Sequence, residues 1–279
     1  MNAQPAAQSA ADAVQDVGEQ AQQSPALDRA VRLGQISYGV VHLLLAWLAL
    51  QLVLGDRKEP VSKNGALHQL AEQPFGRVFL WILAAGFFAL VLWQAVEAVV
   101  GDRSEEGIKD VLYRAGCLGR LVVFAVLGLS AVKVALGQRS GGDKTKTDTA
   151  KLMDLPFGPW LVGAVGLAVI GYGVFNVVKG LTDRYEDHLD LSSMSGRRLS
   201  LARALARAGY TARGVAFGII GGLFVWAALS HDPAKSGGLD DALSRLLAAP
   251  MGPFLLLLVA AGLACFGGFC FLKARHFEA

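Results

Sequence analysis

The sequence predicts an all-α membrane protein with six transmembrane helices, arranged as three tandem two-helix hairpins. Long apolar runs and a motif that recurs three times at nearly constant spacing support this fold. Of the 279 residues, 53% are hydrophobic and only 18% are charged, whereas an average soluble domain carries about 25% charged residues. The net charge of +3, without a basic stripe, does not favour a nucleic-acid-binding protein.

Six apolar runs approach or reach the roughly 17–25 residues that cross a hydrocarbon core. None shows the polar and apolar alternation of a membrane strand. Because a helix satisfies its own backbone hydrogen bonds in lipid, each run is predicted to be a helix. The runs are Ile36–Leu54, Val78–Val100, Ala115–Leu136, Trp160–Val178, Gly214–Leu229 and Phe254–Leu272.

Each hairpin repeats two short motifs. An arginine and, two positions later, a glycine open the first helix, and the motif PFG, PFG or PMG opens the second. The two glycines lie 42, 42 and 43 positions apart in the three copies. We predict that each Pro occupies the first helical turn, where no amide hydrogen is needed, and that the following Gly permits a close approach. The arginines are Arg32, Arg114 and Arg207, and the glycine pairs are Gly34 and Gly76, Gly116 and Gly158, and Gly209 and Gly252.

The stretches GALHQLAEQ, TAKLMDL and GGLDDALSRLLAA precede the three Pro motifs. Each is predicted to be a short helix along the membrane surface, with an ordinary loop as the alternative. The predicted organisation is therefore a disordered tail (1–26), repeat 1 (27–101), repeat 2 (110–182), a basic polar linker (183–200) and repeat 3 (201–275).

Two helices per copy return the chain to the same side of the membrane. The copies should therefore run in parallel around a pseudo-threefold axis along the membrane normal. The 26 Lys and Arg residues divide 15 to 11 in favour of the side that holds the termini and the loops between copies. This bias predicts cytoplasmic N- and C-termini, a plasma-membrane location and contact with anionic lipids at the cytoplasmic face.

The threefold set of motifs resembles the bacterial membrane family called domain of unknown function 1206, over roughly residues 27–275. In copy one, Tyr38 departs from the pattern, because arginine occupies its place in the other copies as Arg120 and Arg213. The resemblance implies a bacterial inner-membrane protein. It brings no known reaction, cofactor or catalytic residue.

The repeated arginines are the first candidate site residues. Arg120 and Arg213 lie six residues, about 9 Å, further along their helices than Arg114 and Arg207. A guanidinium at that depth seeks a phosphate, a carboxylate or the interface. Together with Arg32, these arginines are predicted to contact lipid headgroups or an anionic solute, with simple snorkelling as the alternative.

Two further polar residues fall within the spans. Glu97 lies 21 positions after its motif glycine, as Lys179 and Lys273 do in the other copies, and is predicted to pair with a cation of a neighbouring copy or to bind a proton or cation. His42 is either a satisfied structural histidine or a proton relay, haem ligand or metal ligand.

Small residues predict two helix-packing faces. One is Gly214, Gly218 and Gly222; the other is Ala260, Ala264 and Gly268. Whether these faces pack within the chain or between protomers stays open.

No catalytic, metal-binding or cofactor-binding motif is recognised, so no enzyme activity is expected. The sequence favours a non-enzymatic membrane scaffold or partner-binding component, as a homo-oligomer or with another membrane protein. The alternative is a small transporter or channel for ions or for anionic or lipid-like solutes. A membrane enzyme or haem protein is the third hypothesis.

Overall fold

The computed structural model describes residues 24–55, 59–100, 108–138, 144–182 and 196–275. Most of the predicted tail and most of the predicted linker therefore lie outside the described residues. Helix α1 begins at Pro25 and α7 at Arg197, each inside a segment that was predicted to be tail or linker. The helices are α1 (Pro25–Leu54), α2 (Lys63–Ala71), α3 (Gly76–Val100), α4 (Ile108–Ala135), α5 (Lys144–Met153), α6 (Gly158–Leu181), α7 (Arg197–Ser230), α8 (Leu239–Leu247) and α9 (Gly252–Arg275), with a 3-10 turn at Pro233–Lys235.

Six of these helices, namely α1, α3, α4, α6, α7 and α9, are long and apolar enough to cross a membrane. The described residues are therefore all-helical and contain six helices of membrane-spanning length, as the sequence predicts. The short helices α2, α5 and α8 occur at the three amphipathic stretches, one within each hairpin. Their occurrence agrees with the predicted short helix rather than with an ordinary loop.

The Pro motif ends each short helix and starts the next long one. The residue between Pro and Gly is left-handed in every copy, with φ of 61° at Phe75, 61° at Phe157 and 58° at Met251. A left-handed residue cannot continue a right-handed helix. The long helix therefore begins at the glycine, and the prediction that Pro lies in its first turn is wrong.

The motif glycine is required by a close backbone approach. A Cβ at Gly76 would collide with the carbonyl oxygen of Leu70 at the end of α2. A Cβ at Gly252 would meet the carbonyl of Leu247 in the same way. The close approach predicted for the motif glycine is therefore present in the structure.

The long helices pack in a repeating pattern. The second long helix of each copy packs against the first long helix of the next copy, as α3 on α4, α6 on α7 and α9 on α1. Within a copy, α1 packs on α3 and α7 packs on α9, but α4 and α6 make no comparable contact in the described residues. The hairpin of the second copy is therefore open, and α1, α4 and α7 stand apart around an internal space.

Glycines on α6 and α7 allow a close crossing of these two helices. A Cβ at Gly173 would lie 2.7 Å from the carbonyl oxygen of Gly214, and a Cβ at Gly221 would lie 2.6 Å from that of Gly166. The seven-residue spacing of Gly214 and Gly221 therefore marks the contact face. A Cβ at Gly222 would meet no heavy atom within 4 Å, so no described residue packs on this part of the predicted face.

Gly218 has an intermediate position in the same crossing. A Cβ on it would also meet no heavy atom within 4 Å, although its amide nitrogen lies 3.0 Å from a Cβ placed on Gly173.

On α9, the second predicted face is partly used for packing: Ala260 is buried in the core and Ala264 packs against it. Gly268 would make only an ordinary contact, 3.7 Å from Leu205, whereas Gly262 and Gly267 make the close approaches to α7 and α1.

Polar contacts join the short helices of different copies. The Val61 amide donates to Asp240 at 2.8 Å, and Lys146 forms an ion pair with Asp241 at 2.8 Å. These contacts connect the hairpin ends of copies one and two to α8 of copy three. The connected ends cover one end of the internal space.

Candidate functional site

The internal space is a cavity of about 340 Å³, within the range of small-molecule sites. The first long helix of every copy lines it. Leu45, Leu127 and Ile220, each 11 positions after the first glycine of its copy, all contribute to its wall. Residues at the starts of α2 and α8 complete its hairpin end.

The polar groups of this cavity are cationic or neutral. Arg213, Lys63 and His42 line it, together with hydroxyl and amide side chains, and no Asp or Glu is among the described lining residues. An apolar wall with a few convergent polar groups is typical of a ligand site. The charge of the wall favours an anion.

Arg213 is the most unusual of these residues because it is a charged side chain that is only 8% exposed. Its guanidinium carbon lies 4.2 Å from the ring centre of Phe266, and Nη2 lies 3.5 Å from the Tyr172 hydroxyl oxygen. None of the ion pairs in the described part of the chain includes Arg213. Aromatic faces stabilise a desolvated cation by about 2 kcal/mol, which does not replace a carboxylate.

The matching arginine of copy two shows what Arg213 lacks. Nε of Arg120 donates to the Gln94 side-chain oxygen at 2.6 Å, and Nη2 lies 3.8 Å from a Glu97 oxygen. The position that corresponds to Glu97 in the next interface is Lys179, whose ammonium lies 5.6 Å from the Tyr210 ring. The Arg120 environment thus contains an acid, whereas the aligned position in the interface of α6 and α7 is a lysine.

Glu97 forms the ion pair with a neighbouring copy that was one of the two predicted roles. The carboxylate is 5% exposed and also accepts a hydrogen bond from the Gln94 amide nitrogen at 3.1 Å. The Cys117 thiol lies 3.8 Å from the same carboxylate. This network holds α3 against α4 and leaves the Arg120 charge compensated.

His42 is buried at the cavity wall and has a structural partner. Its Nδ1 lies 2.8 Å from the Tyr38 carbonyl oxygen, and its ring packs on Tyr38 and Phe266 at 4.4 and 4.7 Å between centres. These contacts fit the interpretation of His42 as a structural histidine whose ring nitrogen has a hydrogen-bond partner. No group of three His, Cys, Asp or Glu residues in the described regions has the arrangement of a metal site.

Lys63 was not a sequence candidate, although it lies at the hairpin end of the cavity. Burial and, to a smaller extent, the charge of Arg213 lower the pKa of its ammonium to about 8. The two cations therefore share one low-dielectric space. In the sequence, Lys63 is one of many loop charges, and no local motif distinguishes it.

The remaining predicted arginines lie away from the cavity wall. Arg114 pairs with Asp110 at 2.8 Å and donates to the last carbonyls of α3, at Ala98 and Val99. Arg32 lies 3.9 Å from Asp28. Arg207 is exposed and contributes to a shallow surface depression on α7. The structure thus places only Arg213, among the five arginines, in the cavity.

Comparison with known proteins gives a family and no activity. An uncharacterized protein of Bacillus subtilis (strain 168), YxxB, is 28% identical over 253 residues, covering 90% of this chain and 92% of the relative. No solved structure matches. The family model described as "Domain of Unknown Function (DUF1206)" matches residues 33–101, 115–183 and 208–276. These three tandem matches cover more than half of the chain, and the protein therefore belongs to the DUF1206 family.

Proposed function

We propose that this protein is a non-enzymatic membrane protein that binds an anion in the cavity between α1, α4 and α7. The observation that carries the proposal is Arg213, a buried guanidinium without a carboxylate partner in the described residues. An ionised group removed from water without a partner costs several kcal/mol. A bound anion would offset that cost.

The chemistry of the wall favours a phosphate or a carboxylate. A guanidinium offers parallel N–H donors that match either group bidentately. Lys63 supplies a second donor at the hairpin end, and the Tyr172 hydroxyl lies beside Arg213 at 3.5 Å. The apolar remainder of the wall suits an organic anion better than a bare inorganic ion.

Calorimetric titration with butyl phosphate tests the proposal. The purified wild type should bind, and Arg213→Gln should weaken binding at least tenfold. Arg207→Gln is the matched control, since it removes an exposed arginine from the same helix and should bind like the wild type. Equal binding by wild type and Arg213→Gln would refute the anion site.

We further propose that the three copies are parallel and related by a pseudo-threefold axis through the cavity. The cyclic packing of α3 on α4, α6 on α7 and α9 on α1 supports this arrangement, as do the matched wall positions Leu45, Leu127 and Ile220. An experimental structure in which no single axis relates the copies would contradict it.

The plasma membrane with both termini in the cytoplasm is the proposed location, supported by the division of Lys and Arg. Reporter fusions at either end test it, because a fluorescent protein should fold there and a periplasmic phosphatase should be inactive. A scaffold or partner-binding role, a homo-oligomer, another membrane partner and anionic lipids at the cytoplasmic face also stay predictions. Purification at native abundance tests the partners, and a chain that purifies alone would count against them.

A further inference from the structure

The open hairpin of copy two leaves a gap between α4 and α6. These are the least buried of the long helices, with 28% and 22% of their apolar windows buried, against 50% for α1 and α9. The motif glycines show the same difference. A Cβ at Gly34 or Gly209 would collide with the hairpin partner of its own copy, whereas a Cβ at Gly116 would meet nothing within 4 Å.

Both walls of this gap carry exposed apolar stripes at helical spacing. On α4 the stripe contains Leu118, Val122, Val126 and Leu129, which are all exposed. On α6 the exposed residues Leu161, Val165, Tyr172 and Phe175 follow the same periodicity. Acyl chains are the natural contacts of such surfaces within a bilayer.

The gap meets the cavity at Val126 and comes close to Arg213 at Tyr172. Val126 is 57% exposed and also lines the cavity. Tyr172 is 43% exposed, and its hydroxyl oxygen lies 3.5 Å from Nη2 of Arg213. A molecule between α4 and α6 can therefore touch lipid and Arg213 together.

By contrast, other parts of the protein cover the two ends of the cavity. At the hairpin end, Asp240 binds the Val61 amide and so holds α8 beside the start of α2. At the other end, the rings of Tyr38, Phe266 and Tyr210 pack edge to face beside Arg213. The side of the bundle between α4 and α6 is the more open approach.

We propose that an anionic phospholipid reaches Arg213 laterally, with its phosphate at the guanidinium and its acyl chains between α4 and α6. This inference rests on the anion site proposed above and names its ligand class and route. Charge complementarity selects the headgroup, and the apolar walls accommodate the chains.

Photo-cross-linking tests this route in neutral phosphatidylcholine vesicles. The probe is a phosphatidic acid with a diazirine in its acyl chain, and the measurement is the labelling of peptides across 118–129 and 161–175. Labelling should concentrate on these two segments in the wild type. It should fall at least fivefold in Arg213→Gln and at least twofold in Lys63→Gln, while a neutral diazirine phosphatidylcholine labels all three proteins alike.

A substitution in the gap between α4 and α6 provides a second test of the lateral route. Gly119 has open space around its Cβ position and lies seven residues before Val126, at the depth of Arg120. Gly119→Trp should therefore narrow the gap and reduce phosphatidic acid labelling at least threefold. Gly222→Trp is the matched control, because Gly222 also has open space but lies on the α7 face shared with Trp226, and its labelling should match the wild type.

The outcomes separate the two proposals. If butyl phosphate binding depends on Arg213 but acyl labelling is spread evenly around the bundle, the lateral route is wrong and the anion site stands. If Arg213→Gln leaves butyl phosphate binding intact, both proposals fail. If the gap cross-links to a second copy or to another protein instead of lipid, the lateral route is also wrong.

Discussion

Lys179→Glu should give Arg213 the acid that Arg120 already has. Lys179 follows its motif glycine by 21 positions, as Glu97 does, and lies beside Tyr210 as Glu97 lies beside Cys117. The substitution places an acid at the aligned position of the second interface, and we expect this carboxylate to pair with the Arg213 guanidinium. It should stabilise the protein and abolish anion binding, since the new carboxylate competes for the guanidinium.

The size of the effect follows from the pair of Glu97 and Arg120, which joins copies one and two. Arg120 and Glu97 are separated by 3.8 Å, and two unit charges at that distance attract by roughly 4 kcal/mol at an effective dielectric constant of ~20. Desolvation of the new carboxylate offsets much of this attraction, so we expect a net gain of about 1–2 kcal/mol. A gain of 1 kcal/mol raises the Tm of a chain of roughly this size by about 2–4 °C.

Thermal unfolding in detergent, followed by tryptophan fluorescence, measures the stability, and titration with butyl phosphate measures binding. Lys179→Gln is the control, because it removes the lysine charge at this position without adding an acid. The Tm of Lys179→Glu should be higher than that of Lys179→Gln. A Lys179→Glu variant that is less stable than Lys179→Gln and binds butyl phosphate like the wild type would refute the reasoning.

Three other predictions follow from the packing and the charges. Gly34→Ala and Gly209→Ala should each destabilise by about 1–3 kcal/mol through overpacking, whereas Gly116→Ala should be neutral or stabilise by up to about 1 kcal/mol; equal losses in the three Tm values would contradict the open hairpin. The folded-state pKa of Lys63, about 8, lies below its ordinary value of 10.5, so stability should rise as pH increases from about 8 to 10.5. Lys63→Met should remove this rise. Unfolding midpoints of this variant that still increase across that pH range would contradict the prediction. Phe157→Gly should be more stable than Phe157→Val by about 1–2 kcal/mol, because φ at this position is 61° and a β-branched residue is poorly suited to the left-handed region; equal chemical-denaturation midpoints would count against that conformation.

The fold was largely predictable because its signals are local. Apolar length identifies the six spans, and the motif from Gly34 to Gly76 recurs at nearly constant spacing. The start of each second helix was placed too early, because the sequence does not reveal that Phe75 takes a left-handed conformation. That conformation accompanies a close backbone approach between Gly76 and Leu70.

The site was only partly predictable because it depends on which helices meet. The alignment of Glu97 with Lys179 was visible in the sequence. What this alignment means for Arg213 could be inferred only from the packing of α3 on α4 and of α6 on α7. The same limit applies to Gly222, because small-residue spacing suggests a packing face but not whether another helix covers it.

The most direct test of the central claim is native mass spectrometry of the purified protein without added ligand. The wild type should carry one tightly held anionic molecule, Arg207→Gln should retain it, and Arg213→Gln should lose it. Identical bound masses in the wild type and Arg213→Gln, or no bound anion in any of the three proteins, would contradict the claim that the buried guanidinium holds an anion.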